Sequence, residues 1–168
     1  PSTGMKARLA GYNTLESYGA VHRFGPGEAA LYAVAQAATE MAKSKTWTCR
    51  QLPGDGGYQR KVVDCPDLRR ALLENGLAHP FAIDGPASAS DLDAQSVGIQ
   101  KRAGMWAKGP QKTILTSLHS LDEKEGQDWT YNRVLTVSEG QASPVKHQET
   151  YQSCQWVCHA DSCMLYVP

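Results

Sequence analysis

Cys49 and Cys65 stand at the two ends of the stretch CRQLPGDGGYQRKVVDC, and this spacing constrains the fold more than any other feature of the chain. The segment PGDGG is made of residues that supply the backbone angles of turns, so we predict a β-hairpin over residues 45–65 with strands at 45–52 and 58–65. The two cysteines then lie on neighbouring strands near the open end. A disulfide between them, with 15 residues in the loop, would stabilise the fold by about 3 kcal/mol in the chain-entropy model.

The chain has five cysteines in 168 residues, more than a cytosolic protein of this size usually needs. We therefore expect an oxidising compartment, and a secreted or periplasmic protein whose signal peptide has been removed. Cys154, Cys158 and Cys163 lie close together, and the odd total leaves one thiol unpaired or bonded between molecules. With His147 and His159 they raise the alternative of a zinc site. Their spacing lacks the paired knuckles of common zinc modules, which favours a tail disulfide in any of three pairings.

The charge balance limits the kinds of partner. Lys plus Arg and Asp plus Glu number 17 each, so the formal net charge is zero. Tight, undirected binding to nucleic acid needs many phosphate contacts and is excluded, whereas transient contact at a local basic groove is not. No apolar run reaches the roughly 18 residues that would span a membrane. The hydrophobic fraction of 41% is enough for one core.

Three segments carry a helical pattern of apolar residues with start or stop signals. Pro66 and Gly76 delimit one of them. Ser90 and Asp93 form the pattern of a capping box at the start of another. The predicted helices cover residues 27–43, 66–76 and 90–109.

Further strands are predicted over residues 7–12 and 77–83. The order of strand, helix, hairpin, helix and helix is typical of an α+β fold, with helices packed against an antiparallel sheet. In the more polar tail, TYNRVLTVSEG predicts one strand and ETYQSCQWVCHADSCMLYVP one or two more. We therefore divide the chain into a domain of residues 1–109 and a cysteine-containing extension of residues 110–168.

Four segments in this domain resemble the staphylococcal nuclease (thermonuclease) family. RLAGYNTLE and GGYQRKVVDC are similar to its Arg-Leu-x-Gly-x-Asp-x-Pro-Glu and Asp-x-Tyr-Gly-Arg segments. DLRRALLENGLAH and AQSVGIQKRAGMW are similar to its second helix and to its last helix with the terminal Trp. They follow the family's order and spacing over about residues 7–109. The resemblance implies a mainly β form of the α+β class, an OB-type barrel of five strands with three packed helices.

The resemblance also assigns roles in phosphodiester hydrolysis. Arg8 and Arg60 would clamp the phosphate, because a planar guanidinium matches two phosphate oxygens and stabilises charge that builds up in the transition state. Glu16 would act as the general base on the attacking water. Asn13 and the carbonyl of Thr14 would be ligands of Ca²⁺, a hard ion that prefers oxygen.

Two residues beside Arg60 are predicted to bind substrate. Tyr58 would stack on a nucleotide base, although it could equally cover the apolar side of the hairpin. Lys61 forms a basic patch in sequence with Arg69 and Arg70, although a solvated helix face is the favoured explanation for those two arginines.

The chain departs from the family pattern in several places. Asn13 replaces a metal-ligating Asp and removes a charge, Leu15 replaces Pro, and Gln59 replaces Gly. The family's Asp-Gly-Asp-Thr turn, with another metal-ligating Asp, has no counterpart in PSTGMKA before Arg8. Either the first two strands lie upstream of Pro1, or half of the metal site is missing. The tail strand TYNRVLTVS is a further candidate to fill the gap in the barrel.

The sequence thus predicts a Ca²⁺-assisted, nuclease-like phosphodiesterase that hydrolyses DNA or RNA with little sequence preference. Nucleic acid would be a transient substrate, and no organic cofactor is expected. The alternative is an OB-type binding or interaction module that has lost catalysis, with the tail binding a protein partner.

Overall fold

The structure is a computed structural model that describes residues 4–15, 28–56, 59–110, 112–116, 131–146 and 165–166. The helices are α1 Glu28–Lys43, α2 Pro66–Glu74 and α3 Ala89–Gln100. The strands are β1 Ala7–Leu9, β2 Tyr12–Thr14, β3 Arg50–Asp55, β4 Lys61–Asp64, β5 Ala78–Pro80, β6 Thr113–Thr116, β7 Tyr131–Thr136, β8 Gln141–Lys146 and β9 Leu165–Tyr166. The predicted α+β class with three helices is confirmed. Within the described ranges the sheets stay separate, and none closes into a barrel.

The first sheet joins the start of the chain to the predicted hairpin. Its strand order is β1-β4-β3, with β1 parallel and β3 antiparallel to the central strand β4. The hairpin is confirmed, but its predicted tip at PGDGG is wrong, because β3 runs through Pro53 to Asp55. A register shift between Gln51 and Asp55 accommodates the proline. Proline is tolerated there because β3 is an edge strand.

The predicted disulfide is present at the open end of this hairpin. Cys49 and Cys65 are bonded, with their Cα atoms 4.2 Å apart. Cys65 is buried and is the N-cap residue of α2. The bond therefore ties the start of β3 to the start of the second helix.

A network of ion pairs links the first sheet to helices α2 and α3. The Asp64 carboxylate accepts hydrogen bonds from Arg50 Nε at 3.1 Å and from the Arg69 guanidinium at 2.6 Å. Arg69 also donates from Nε to Asp91 of α3 at 2.9 Å. One arginine on α2 thus connects β4 to α3. The solvated helix face that the sequence favoured for Arg69 and Arg70 is therefore wrong for Arg69, whose half-buried guanidinium is paired with two carboxylates. The same pairing removes Arg69 from the basic patch.

The N-cap of helix α3 lies two residues before the predicted N-cap Ser90. Ser88 is the N-cap residue, and its side chain accepts a hydrogen bond from the amide of Asp91. The expected pairing of Ser90 with Asp93 is wrong, because Ser88 already satisfies one of the free amides of the first turn. The helix also ends earlier than predicted, at Gln100, and a 3-10 turn at Gly104–Trp106 follows.

The tail strands form a sheet of their own in the order β8-β7-β6-β9. The expectation that β7 fills a gap beside β1 is wrong, because Leu135 on β7 packs with Trp106 and Ile114 in a buried apolar cluster. The amide of Gln95 on α3 donates to the carbonyl of Val137 at 2.9 Å. The extension therefore shares a core with the helices of residues 1–109.

No helix in the described part of the chain is both long and apolar enough to cross a bilayer. The tail cysteines Cys154, Cys158 and Cys163, together with His147 and His159, lie outside the described residues.

Removing the disulfide tests its contribution to stability. Cys49→Ser leaves the buried Cys65 in place, and we expect the free energy of unfolding to fall by about 3 kcal/mol because the unfolded chain gains freedom. Urea unfolding measures the difference. Wild type in reductant should approach the variant, and the variant in reductant shows what the tail cysteines add. Equal stability of oxidised wild type and variant would contradict the expectation.

Stability should also fall with acidification because of His79. This side chain is fully buried, and burial lowers its pKa to about 4, although a contact of 2.9 Å between Nδ1 and the Pro80 carbonyl opposes the shift. The unfolded chain binds this proton below about pH 6.5, whereas the folded chain stays neutral to about pH 4. The stabilisation is therefore complete above pH 6.5 and is lost towards pH 4, by about 1.4 kcal/mol per pH unit.

His79→Gln should remove that slope from urea unfolding curves recorded between pH 7 and pH 4.5. The slope of wild type in this window would then exceed that of the variant. Identical slopes would show that His79 does not titrate as its burial implies.

Candidate functional site

Arg8 and Arg60 meet at Gly56. A Cβ atom built on Gly56 would lie 3.1 Å from the Cβ of Arg8 and 3.2 Å from the Cβ of Arg60. The two arginines are far apart in the sequence. The structure thus brings together the two predicted phosphate clamps.

The hairpin tip holds Arg60 in place through two hydrogen bonds with Gly56. The amide of Gly56 donates to the carbonyl of Arg60 at 3.1 Å. In return, Nε of Arg60 donates to the carbonyl of Gly56 at 3.2 Å. A side chain at position 56 would come within 2.8 Å of the Arg60 carbonyl oxygen, so glycine is required for this close approach. The sequence pattern identified Gly56 only as a turn residue.

The register of the first sheet puts both arginines on one face. Arg8 pairs with Val62 in the parallel ladder of β1 and β4. Paired residues share a face, and side chains two positions apart along an extended strand do so too. Arg60 therefore lies on the face of Val62 and Arg8. Lys61, predicted to bind substrate, is exposed but lies on the opposite face.

The segment between β1 and β2 bends at Gly11, which has a φ of +84°. Its carbonyl accepts the amide of Phe81 at 3.0 Å. A Cβ atom at Gly11 would lie 3.0 Å from the guanidinium of Arg69. Arg69 is thus both the centre of the Asp64 and Asp91 network and the surface on which the bend rests. The sequence did not reveal this supporting role, because nothing in its spacing relates Arg69 to Gly11.

The two predicted metal ligands lie on β2, which pairs antiparallel with β5. Asn13 is opposite His79, Thr14 is opposite Ala78, and both ligand residues are half-buried. They offer only neutral oxygens. Among the described residues no group of three or more His, Cys, Asp or Glu is arranged to hold a metal. Since Ca²⁺ takes six to eight oxygen ligands, often carboxylates, Asn13 and Thr14 would supply only a small part of such a site.

Two predicted site residues, Glu16 and Tyr58, lie outside the described residues. The residue before Glu16, Leu15, is buried in the apolar cluster with Trp106 and Ala35. The end of the RLAGYNTL segment is therefore anchored in the core, directly before the predicted general base.

Gln59 has a left-handed backbone, with a φ of +60°. This conformation costs a residue other than glycine about 1–2 kcal/mol. The family pattern has glycine at this position, next to the arginine. Gln59 thus adopts a conformation that glycine would adopt at lower cost.

Compared with known proteins, the chain matches no family model and no curated protein. The resemblance to the nuclease family therefore depends on the sequence motifs.

Two substitutions at the tip should change stability in opposite directions. Gly56→Ala should lower the free energy of unfolding by about 1–3 kcal/mol, because the new Cβ overlaps the Arg60 carbonyl. Gln59→Gly should raise it by about 0.5–1 kcal/mol, since relief of the left-handed strain exceeds the entropy that glycine adds to the unfolded chain. Urea unfolding of both variants beside wild type measures these changes. A stable Gly56→Ala variant would show that the tip is looser than described.

Proposed function

We propose that this protein is a nuclease-like phosphodiesterase of the staphylococcal nuclease type that cleaves DNA or RNA with little sequence preference. One observation carries the proposal: the guanidinium-bearing residues Arg8 and Arg60 converge at Gly56 on one face of the first sheet. Paired guanidinium groups suit a phosphodiester, because they match its oxygens in shape and charge.

The strand pattern supports an OB-type barrel as the parent architecture. A closed barrel with five strands cannot be antiparallel throughout, because an odd number of strands cannot alternate in direction all the way round. At least one neighbouring pair must be parallel, and β1 with β4 is such a pair. The sheet β1-β4-β3 would then supply three of the five strands.

The backbone of Gln59 gives independent support for the family. A glycine precedes the arginine in the family's hairpin segment, and this chain keeps a left-handed conformation at that position without the glycine. A left-handed conformation favours glycine. The backbone of Gln59 is thus compatible with the glycine of the family pattern.

In the proposed reaction, Arg8 and Arg60 hold the phosphate oxygens and stabilise the negative charge that develops as water attacks phosphorus. Glu16 accepts the proton of that water. The P–O bond to the leaving nucleoside breaks, and the products are a phosphate monoester and an alcohol. No step is assigned to Ca²⁺, whose participation is a prediction of the resemblance alone.

A secreted or periplasmic location belongs to the same proposal. It is supported by the bonded pair of Cys49 and Cys65, which persists in an oxidising compartment.

Cleavage of labelled single-stranded DNA, with Ca²⁺ and with chelator, tests the function. Glu16→Gln should lower kcat by about 10²–10⁴ because the base is lost. Arg60→Ala should lower it by about 10²–10³ because transition-state charge is left unpaired. Arg70→Ala is the matched control, since Arg70 is exposed and paired with Glu74 at 2.7 Å on α2.

Circular dichroism melting should show that all three variants remain folded. Full activity of both Glu16→Gln and Arg60→Ala would contradict the assigned roles. Absence of cleavage by wild type with every divalent ion tried, together with binding of an oligonucleotide, would instead favour the non-catalytic OB-type module.

A further inference from the structure

A third cation lies on the face that carries the two arginines. Lys6 precedes β1, and its carbonyl accepts the amide of Lys61 at 3.0 Å. This bond belongs to the pairing of Ala7 with Lys61 at the start of the parallel ladder. Since side chains alternate along extended backbone, Lys6 shares the face of Arg8, about 6.6 Å farther along the chain.

The same hydrogen bond places Lys6 beside Arg60, because the amide of Lys61 directly follows Arg60 in the backbone. Ala7 pairs with Lys61, so the preceding residues of each strand, Lys6 and Arg60, are neighbours across the ladder. Strands in a sheet are about 4.8 Å apart. Lys6, Arg8 and Arg60 thus form a cationic triangle, and we use that name for these three residues.

Within the described residues, no acidic side chain forms an ion pair with Lys6 or Arg8, and both are exposed. The acidic residue farther along the same face, Asp64, is already paired with Arg50 and Arg69. Lys6 and Arg8 therefore offer exposed positive charge to a polyanion.

We propose that Lys6 binds the phosphate next to the one held by Arg8 and Arg60, so that the substrate is a single strand with consecutive phosphates and not an isolated diester. The inference rests on the proposed function. A lysine suits this task because its ammonium group is a point charge that does not demand one orientation of the phosphate. Lys6 and Arg8 succeed one another along the direction of β1. We therefore expect the bound nucleic acid to run parallel to β1.

Binding is measured first, in chelator, by fluorescence anisotropy of labelled (dT)8 with wild type, Lys6→Gln and Lys101→Gln. Lys101 is an exposed cation at the C-cap of α3, outside the first sheet. Loss of one phosphate contact should reduce the slope of log K against log salt by about 0.7, which corresponds to about fivefold weaker binding at 0.1 M salt. Lys101→Gln should bind as wild type.

Cleavage then separates the two phosphates. Lys6→Gln should raise KM for (dT)8 by about fivefold and leave KM unchanged for thymidylyl-thymidine, which has a single phosphate. Unchanged binding slope and KM in Lys6→Gln, with wild type active, would overturn the role of Lys6 and leave the proposed function intact. Wild type that neither binds nor cleaves (dT)8 would overturn both. Tighter binding to a polyglutamate peptide than to (dT)8 would overturn the inference in favour of an acidic protein partner.

Discussion

The parallel pairing of β1 with β4 is the constraint on which the candidate site depends. It places Arg8 beside Val62 and so brings it to the arginine that follows the hairpin tip. Parallel strands cannot be joined by a tight turn and need a long crossover. Here β2, α1 and β3 lie between them in sequence. The site is thus a product of topology, since neither strand carries enough charge to bind a phosphodiester alone.

A network of ion pairs connects β4, one strand of this pairing, to helices α2 and α3. Asp64 ends β4, Arg69 lies one turn into α2, and Asp91 opens α3, so a single guanidinium joins three elements. Removing the Arg69 guanidinium would leave the Asp91 carboxylate without this partner and Asp64 with Arg50 alone, which weakens the link between the three elements. The same guanidinium lies against Gly11, where the chain leaves β1 for β2. Positioning of the site and stability of the domain therefore share one residue.

The elements that the sequence predicted well are those with local signals. The first helix, the start of α2 at Pro66 and the disulfide between Cys49 and Cys65 all follow from short-range patterns. The errors lie where a local signal had two solutions. PGDGG reads as a turn, yet a bulged edge strand accommodates Pro53, and Ser88 caps α3 although Ser90 also fits a capping pattern. Burial and strand pairing decide between such alternatives, and neither can be determined from a short stretch of sequence.

The sequence by itself determined the α+β class, the bonded cysteines and the residue types suited to a phosphate, because turns, caps and periodicity act over a few residues. Only the tertiary structure decided that Arg8 and Arg60 meet at Gly56. It also decided that the half-buried Arg69 links Asp64 to Asp91, and that the tail strands share a core with Trp106. Those outcomes depend on contacts between residues far apart in the chain. Such contacts are selected by the total burial of apolar surface and the pairing of buried charge, which belong to the whole fold.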